Sequence, residues 1–126
     1  CLKKRELSMN IQEILKHYLI CAIWSTNQED GSPFDNDFEI SDFSETAKKQ
    51  ALLDIESFVK KAGSLLNGIT DEQIGHDIWL TRNRHGAGFW DRDFINKEIG
   101  EKLTDIAHEL GETSITISDS NELEFD

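Results

Sequence analysis

Gly75-His76-Asp77-Ile78-Trp79-Leu80-Thr81-Arg82-Asn83-Arg84-His85-Gly86-Ala87-Gly88-Phe89-Trp90-Asp91-Arg92 is the stretch on which the reading of the fold turns. It holds three of the four arginines, two of the four histidines and two of the three tryptophans. A functional centre is expected here, because the remainder has ordinary acidic composition. Asp77 to Thr81 is rich in β-formers, Asn83 to Gly86 has turn chemistry, and Ala87 to Trp90 can return as a second strand. The simplest reading is a β-hairpin.

Outward from this block the periodicity changes. Ile11, Ile14, Leu15, Tyr18, Leu19, Ala22 and Ile23 recur at three- and four-residue spacing, which predicts an amphipathic helix from Met9 to about Trp24. A second helix is predicted from an N-cap at Ser41 through Ala47, Ala51, Ile55, Phe58, Ala62 and Leu66, with Lys60 and Lys61 near its end and Gly68 beyond. Thr70 and Gln73 have capping-box spacing and predict a short helical turn that Gly75 stops. A third helix begins near Asp93, carries Ile95, Ile99, Leu103, Ile106, Ala107 and Leu110, and ends at Gly111. Thr113 to Ser118 and Glu122 to Phe125, joined by Asp119-Ser120-Asn121, form a second hairpin. The expected fold is α+β, with three main helices packed on one face of a small, mostly antiparallel sheet built from two hairpins.

The chain is long enough for one self-supporting domain, here residues 9–126. Residues 1–8 carry three bases and one acid, in contrast to the acidic remainder, and Met9 is the only methionine, so they are expected to be a leader or expression-derived. With 25 acidic against 13 basic residues and a net charge of −12, direct nucleic-acid binding is not expected. Acid concentrates in Glu29 to Glu45, which contains Pro33 after Asp30-Gly31-Ser32 and reads as an exposed loop, and again in Glu112 to Asp126. Solvated surface is the plain meaning of these blocks; imitation of DNA phosphates is the sharper one. Two cysteines, Cys1 and Cys21, imply reduced thiols in a cytoplasmic setting rather than a disulfide framework. The longest apolar run, Tyr18 to Trp24, is too short for a membrane span, so no membrane partner is expected.

Four chemistries suit the central block. His76, Asp77, His85 and Asp91 are metal-ligand types, but their spacing matches no compact metal signature, so no metal or cofactor is expected. The His76-Asp77 pair is of the kind used by His-Asp phosphohydrolases, yet the hairpin reading lacks the helical setting which that chemistry needs. His76 or His85 can act as a general base beside Asp77 or Asp91 while arginines hold an anion such as phosphate. Gly86-Ala87-Gly88 permits close phosphate approach but fits neither a Walker loop nor a dinucleotide fingerprint. Finally, Trp79 and Trp90 beside Arg82, Arg84 and Arg92 are the residue types that dominate binding hot spots. Strand alternation divides the polar groups, sending Asp77, Trp79 and Thr81 to one side and Ile78, Leu80 and Arg82 to the other, so a site would form at the strand ends. The structural alternative puts the tryptophans in the core and pairs the arginines with Asp77, Asp91 and Asp93. His17 and His108 are read as lone structural or solvated histidines, and Trp24 as core.

The strings Gly75 to Asn83 and His85 to Arg92 resemble the signature GHDxWLTRNxHGAGFWDR of a family of small acidic proteins from tailed bacteriophages and prophages, mostly of unassigned function. The resemblance extends to Ala22-Ile23-Trp24-Ser25-Thr26, the Asp30-Gly31 loop and the C-terminal hairpin. It departs at Ile78, where an aromatic is usual, and at Arg84, where glycine is usual. The resemblance implies phage origin and a role in the cytoplasm of the infected bacterium; it supplies no reaction. The leading expectation is therefore a non-enzymatic accessory protein. It would bind a host or phage protein, such as a nucleic-acid-handling or defence enzyme that it inhibits, through Trp79, Arg82, Asn83, Arg84, His85, Trp90 and Arg92. The alternative is a small enzyme or ligand-binding domain for a phosphorylated substrate, with His76, His85 and Asp91 catalytic.

Overall fold

A computed structural model describes residues 10–26, 31–32, 34, 37–84, 88–92 and 95–125. The expected leader, Glu29, Asp30, Pro33 and Asp35 of the acidic loop, and His85, Gly86, Ala87 and Asp93 lie outside the described residues. Among the described residues the architecture is α+β, with four α-helices and one two-stranded antiparallel sheet. No helix there is long and apolar enough to cross a membrane.

Helix α1 spans Ile11–Ser25, and its first turn is held by Asn10, whose side chain accepts from the N–H groups of Gln12 and Glu13. Its buried residues Ile14, Tyr18, Leu19, Ala22 and Ile23 belong to the apolar stripe read from the sequence, and Cys21 is buried beside them. Helix α2 spans Glu45–Ala62 and is capped by Ser44, not Ser41; the Ser44 hydroxyl accepts from the Ala47 N–H at 3.0 Å. Ser41 instead falls inside a short 3₁₀ turn at Ile40–Asp42. A second 3₁₀ turn, Gly63–Leu66, follows α2.

Helix α3, Asp71–Arg82, replaces the first half of the predicted central hairpin. Thr70 does cap it, accepting from the Gln73 N–H, but the helix runs through Gly75 instead of stopping there. The hairpin reading failed for a physical reason. Ile74, Gly75, Asp77, Ile78, Trp79, Thr81 and Arg82 are all buried, so α3 is enclosed on most of its circumference. An enclosed helix shows no contrast between an apolar and a polar face, and here polar residues occupy buried positions, so the 3.6-residue period is erased. The predicted return strand is likewise absent from its described part, where Phe89–Asp91 forms a 3₁₀ turn.

Helix α4 spans Lys97–Glu109, is capped by Asn96, and buries Gly100, Leu103 and Ala107. The predicted C-terminal hairpin is present: strands β1 (Ile115–Ile117) and β2 (Leu123–Phe125) pair with Ile115 opposite Phe125 and Ile117 opposite Leu123. Its β2 strand is tied to the start of α2, since the Ser44 N–H donates to the Leu123 carbonyl at 3.0 Å and the Ser44 hydroxyl to Glu124 at 2.7 Å. A pair of short strands is too small to form a layer that three helices can cover. The helices therefore bury their stripes mainly against one another, with Ile14, Ile55, Phe58, Ile78 and Leu103 fully enclosed.

The packing of α1 against α3 sets the geometry of the candidate site. The Asn10 N–H donates to Asp71 at the start of both helices, and the Trp79 indole N–H donates to Ser25 at their ends, so the two run parallel. A Cβ at Gly75 would lie 2.5 Å from the Ile14 carbonyl oxygen and 2.8 Å from the Tyr18 nitrogen. Only a glycine lets the backbones approach so closely.

Candidate functional site

Most of the described polar side chains of the central block are consumed by the fold. Arg82, only 4% exposed, joins α3 to three other parts of the chain. Its Nη1 donates to Asp54 Oδ2 of α2 at 2.8 Å and to the Tyr18 hydroxyl of α1 at 2.9 Å. Its Nε and Nη2 donate to the carbonyls of Gly111 and Leu110, at 2.8 and 3.0 Å. These carbonyls at the end of α4 have no helical partner, and a cation is favoured there. Burial pushes the Tyr18 phenol up to about 12, against the opposing pull of Arg82.

Asp77 is fully buried and receives Arg92 through two contacts, 2.6 Å from Nη2 and 3.2 Å from Nε. The pairing is bidentate, so both carboxylate oxygens are committed. Asn83 ends α3 by donating to the Trp79 carbonyl at 3.1 Å and accepting the Thr113 N–H at 2.8 Å. Thr81 accepts the Phe89 N–H at 3.3 Å, and it occupies the space that a Cβ at Gly88 would need. The room at Gly88 thus serves packing, not ligand approach.

The expected binding residues consequently separate. Trp79 is 1% exposed and belongs to the core, packed edge-on against Tyr18 with ring centroids 5.4 Å apart. Arg82, Asn83 and Arg92 are internal ties. Arg84 is exposed, with its Nε 3.6 Å from a carboxylate oxygen of Glu112, and Trp90 is 51% exposed. His85 lies outside the described residues. The expectation that Trp24 is core is overturned: it is 63% exposed, the most exposed large apolar side chain among the described residues.

Of the catalytic candidates, Asp91 sits exposed on the 3₁₀ turn, where its charge acts on Arg92. His76 is carried by α3 to the α1 seam, where it meets His17 and Glu72. The helical setting of a His-Asp pair is present after all. Asp77, however, is spent on Arg92, and His76 faces different neighbours.

The His17, Glu72 and His76 ligand atoms all lie within 4.8 Å of one another. The two imidazoles meet edge-on with centroids 5.8 Å apart. Glu13 lies one turn before His17, its Oε1 3.8 Å from Nε2. Burial, and next the charge of His17, lower the His76 pKa from its usual 6.5, which favours the neutral imidazole with a free lone pair. Reading His17 as a lone histidine missed this cluster. The signal available was the repeated Glu-x-x-x-His spacing, Glu13/His17 and Glu72/His76, one on each of two helices.

His76 also borders a cleft of about 480 Å³. Helix α1 supplies Ile20, Cys21, Ile23 and Trp24 to it, and the segment before α2 supplies Phe38, Glu39 and Ile40. The lining is mainly apolar. Cys21 is no nucleophile: burial pushes its thiol up to about 12, and it donates weakly to the His76 carbonyl at 3.7 Å. Comparison with protein-family models, curated proteins and solved structures gave no match for this chain.

Proposed function

We propose that the chain is a small acidic accessory protein of the phage type that acts by binding a host or phage protein, specifically the basic surface of a nucleic-acid-handling or defence enzyme. The observation that carries this reading is Trp24, 63% exposed at the border of an apolar cleft. A tryptophan left in water beside a concave apolar surface is the type of group that anchors protein interfaces. The net charge of −12 favours a partner of opposite sign and speeds encounter with it. The enzyme alternative loses support, because Arg82 and Arg92, which would have held a phosphate, bind Asp54 and Asp77 instead.

The binding surface is therefore moved from the central block to Trp24 and the cleft, with exposed Trp90 and Arg84 as further contributors. Affinity capture from phage-infected bacterial lysate, followed by titration with the purified partner, tests the reading. A stoichiometric partner with a basic surface should bind about 30-fold more weakly to Trp24→Ala, the loss of a hot spot of about 2 kcal/mol. Binding should also weaken as salt is raised. Retention that is indifferent to Trp24→Ala, Trp90→Ala and salt would sink the proposal, as would turnover of a nucleotide by the purified chain.

A further inference from the structure

We propose that His17, Glu72 and His76 form a binding site for a divalent transition-metal ion, with zinc(II) the best match, and that Glu13 supports His17 from the adjacent turn. This inference stands apart from the partner-binding proposal and revises the expectation of a metal-free chain.

The geometry comes from two helices. Residues four apart share a helix face, so Glu13 with His17 and Glu72 with His76 each make a carboxylate-imidazole pair on one side of α1 and α3. The helices run parallel, and the missing Cβ at Gly75 brings the backbones close enough for these faces to meet; a Cβ there would lie 3.1 Å from the His17 Cβ. Three donors then fall within 4.8 Å. Tetrahedral zinc with ligands at about 2.0–2.1 Å holds its donors about 3.4 Å apart. The difference is at most about 1.4 Å, a shift of the size that side-chain torsions at His17 and exposed Glu72 would have to supply.

The chemistry agrees. Two imidazoles and one carboxylate are a donor set that suits zinc and its neighbours in the first transition series, while calcium and magnesium prefer all-oxygen sites. With a net charge of −12, the chain as a whole attracts cations. The two histidines face each other across the seam, their ring centroids 5.8 Å apart. A shared metal turns that opposition into a link between the helices.

The test uses the full chain, freed of any affinity tag, in a Cys1→Ser background, titrated with zinc alone against a chromophoric chelator and with cobalt(II) alone by visible absorbance. One ion should bind per chain, with the intense cobalt bands of a tetrahedral site, and zinc should raise the melting temperature. His17→Ala, His76→Ala and Glu72→Gln should each weaken zinc by at least about 10- to 100-fold, whereas His108→Ala on α4 should leave it unchanged. Should a variant fail to fold, NMR of the unmutated protein decides: limiting zinc must shift the ring protons of His17 and His76 ahead of those of His108. Binding that survives both histidine replacements, or zinc that perturbs all histidines alike, overturns the site. Trp24→Ala should bind zinc normally, so loss of the partner proposal leaves this result readable.

Discussion

Replacing Gly75 by alanine should destabilise the chain, although in an exposed helix the same change stabilises by about 1 kcal/mol. The sign is inverted because the new methyl points into another backbone. It would sit 2.5 Å from the Ile14 carbonyl oxygen and 2.8 Å from the Tyr18 nitrogen, whereas ordinary contact begins at 3.4 Å. Neither obstacle is a side-chain tip that can swing away. Helices α1 and α3 must therefore part by roughly 0.9 Å, the shortfall against ordinary contact at the oxygen. A gap of about 0.5–1 Å forfeits a quarter to a half of each dispersion contact it opens. The contacts in question include those of Ile14, Tyr18, Ile78 and Trp79, all at most 1% exposed. Overpacking of this kind costs about 1–3 kcal/mol, and the unyielding backbone places Gly75→Ala toward the upper end, about 2–3 kcal/mol net of the helix-propensity gain. Thermal melting followed by circular dichroism should show a fall of about 8–12 °C, at about 4 °C per kcal/mol for a chain of this length. The same variant should weaken zinc binding, because it forces His17 away from His76. An unchanged or raised melting temperature would refute the close crossing and, with it, the seam on which the metal proposal is built.

Backbone conformation and burial yield two further outcomes. Arg84 holds a φ of 56°, the left-handed conformation usual for glycine just past a helix end, and its contact with Glu112 is exposed at 3.6 Å. Arg84→Gly should thus raise stability by about 0.5–1 kcal/mol in urea unfolding; a loss would show that the arginine side chain matters more than its strain. Tyr18 is the only tyrosine, so absorbance at the tyrosinate band reads it alone. Its folded pKa of about 12 exceeds the unfolded value of 10.0, so its contribution to stability is present below pH 10 and is lost as pH rises toward 12. Ionisation should coincide with alkaline unfolding, and half-ionisation near pH 10 in a folded chain would contradict the burial of the Tyr18-Arg82 contact.

The parts of the fold that were legible from sequence are those with one wet face. Helices α1, α2 and α4 each expose a polar side, so their apolar stripes announce both type and direction, and the turn Asp119-Ser120-Asn121 marks the terminal hairpin. Helix α3 has little wet face and could not announce itself. Its buried positions hold Asp77, Thr81 and Arg82, and in sequence such residues break an apolar stripe. Trp24 failed in the opposite sense. It continues the apolar run Tyr18 to Ile23, but its position on the helix turns it outward, 63% exposed. The two Glu-x-x-x-His halves of the histidine cluster are visible in the sequence, but their meeting is not, because they are far apart along the chain and only the glycine-mediated approach of α1 to α3 joins them.

A dense run of arginine, histidine, asparagine and aspartate is usually taken to mark chemistry, and the central block shows why that inference is incomplete. A buried polar group is costly unless every strong donor and acceptor is met, so a helix that carries such groups into a core must bring their partners within a short radius. Arg82 finds Tyr18, Asp54 and two carbonyls at the end of α4; Asp77 finds Arg92; Asn83 finds Thr113. The result is a lattice of directional ties that joins all four helices and tolerates few alternative packings, a role that demands the same residue types as an active site. Composition cannot distinguish the two, but the state of the hydrogen bonds can. Groups already paired inside the fold have little left for a ligand, so function must be sought where capacity is unspent. Among the described residues that points to Trp24 beside its cleft, and to the donor atoms of His17, Glu72 and His76 that converge from two helices.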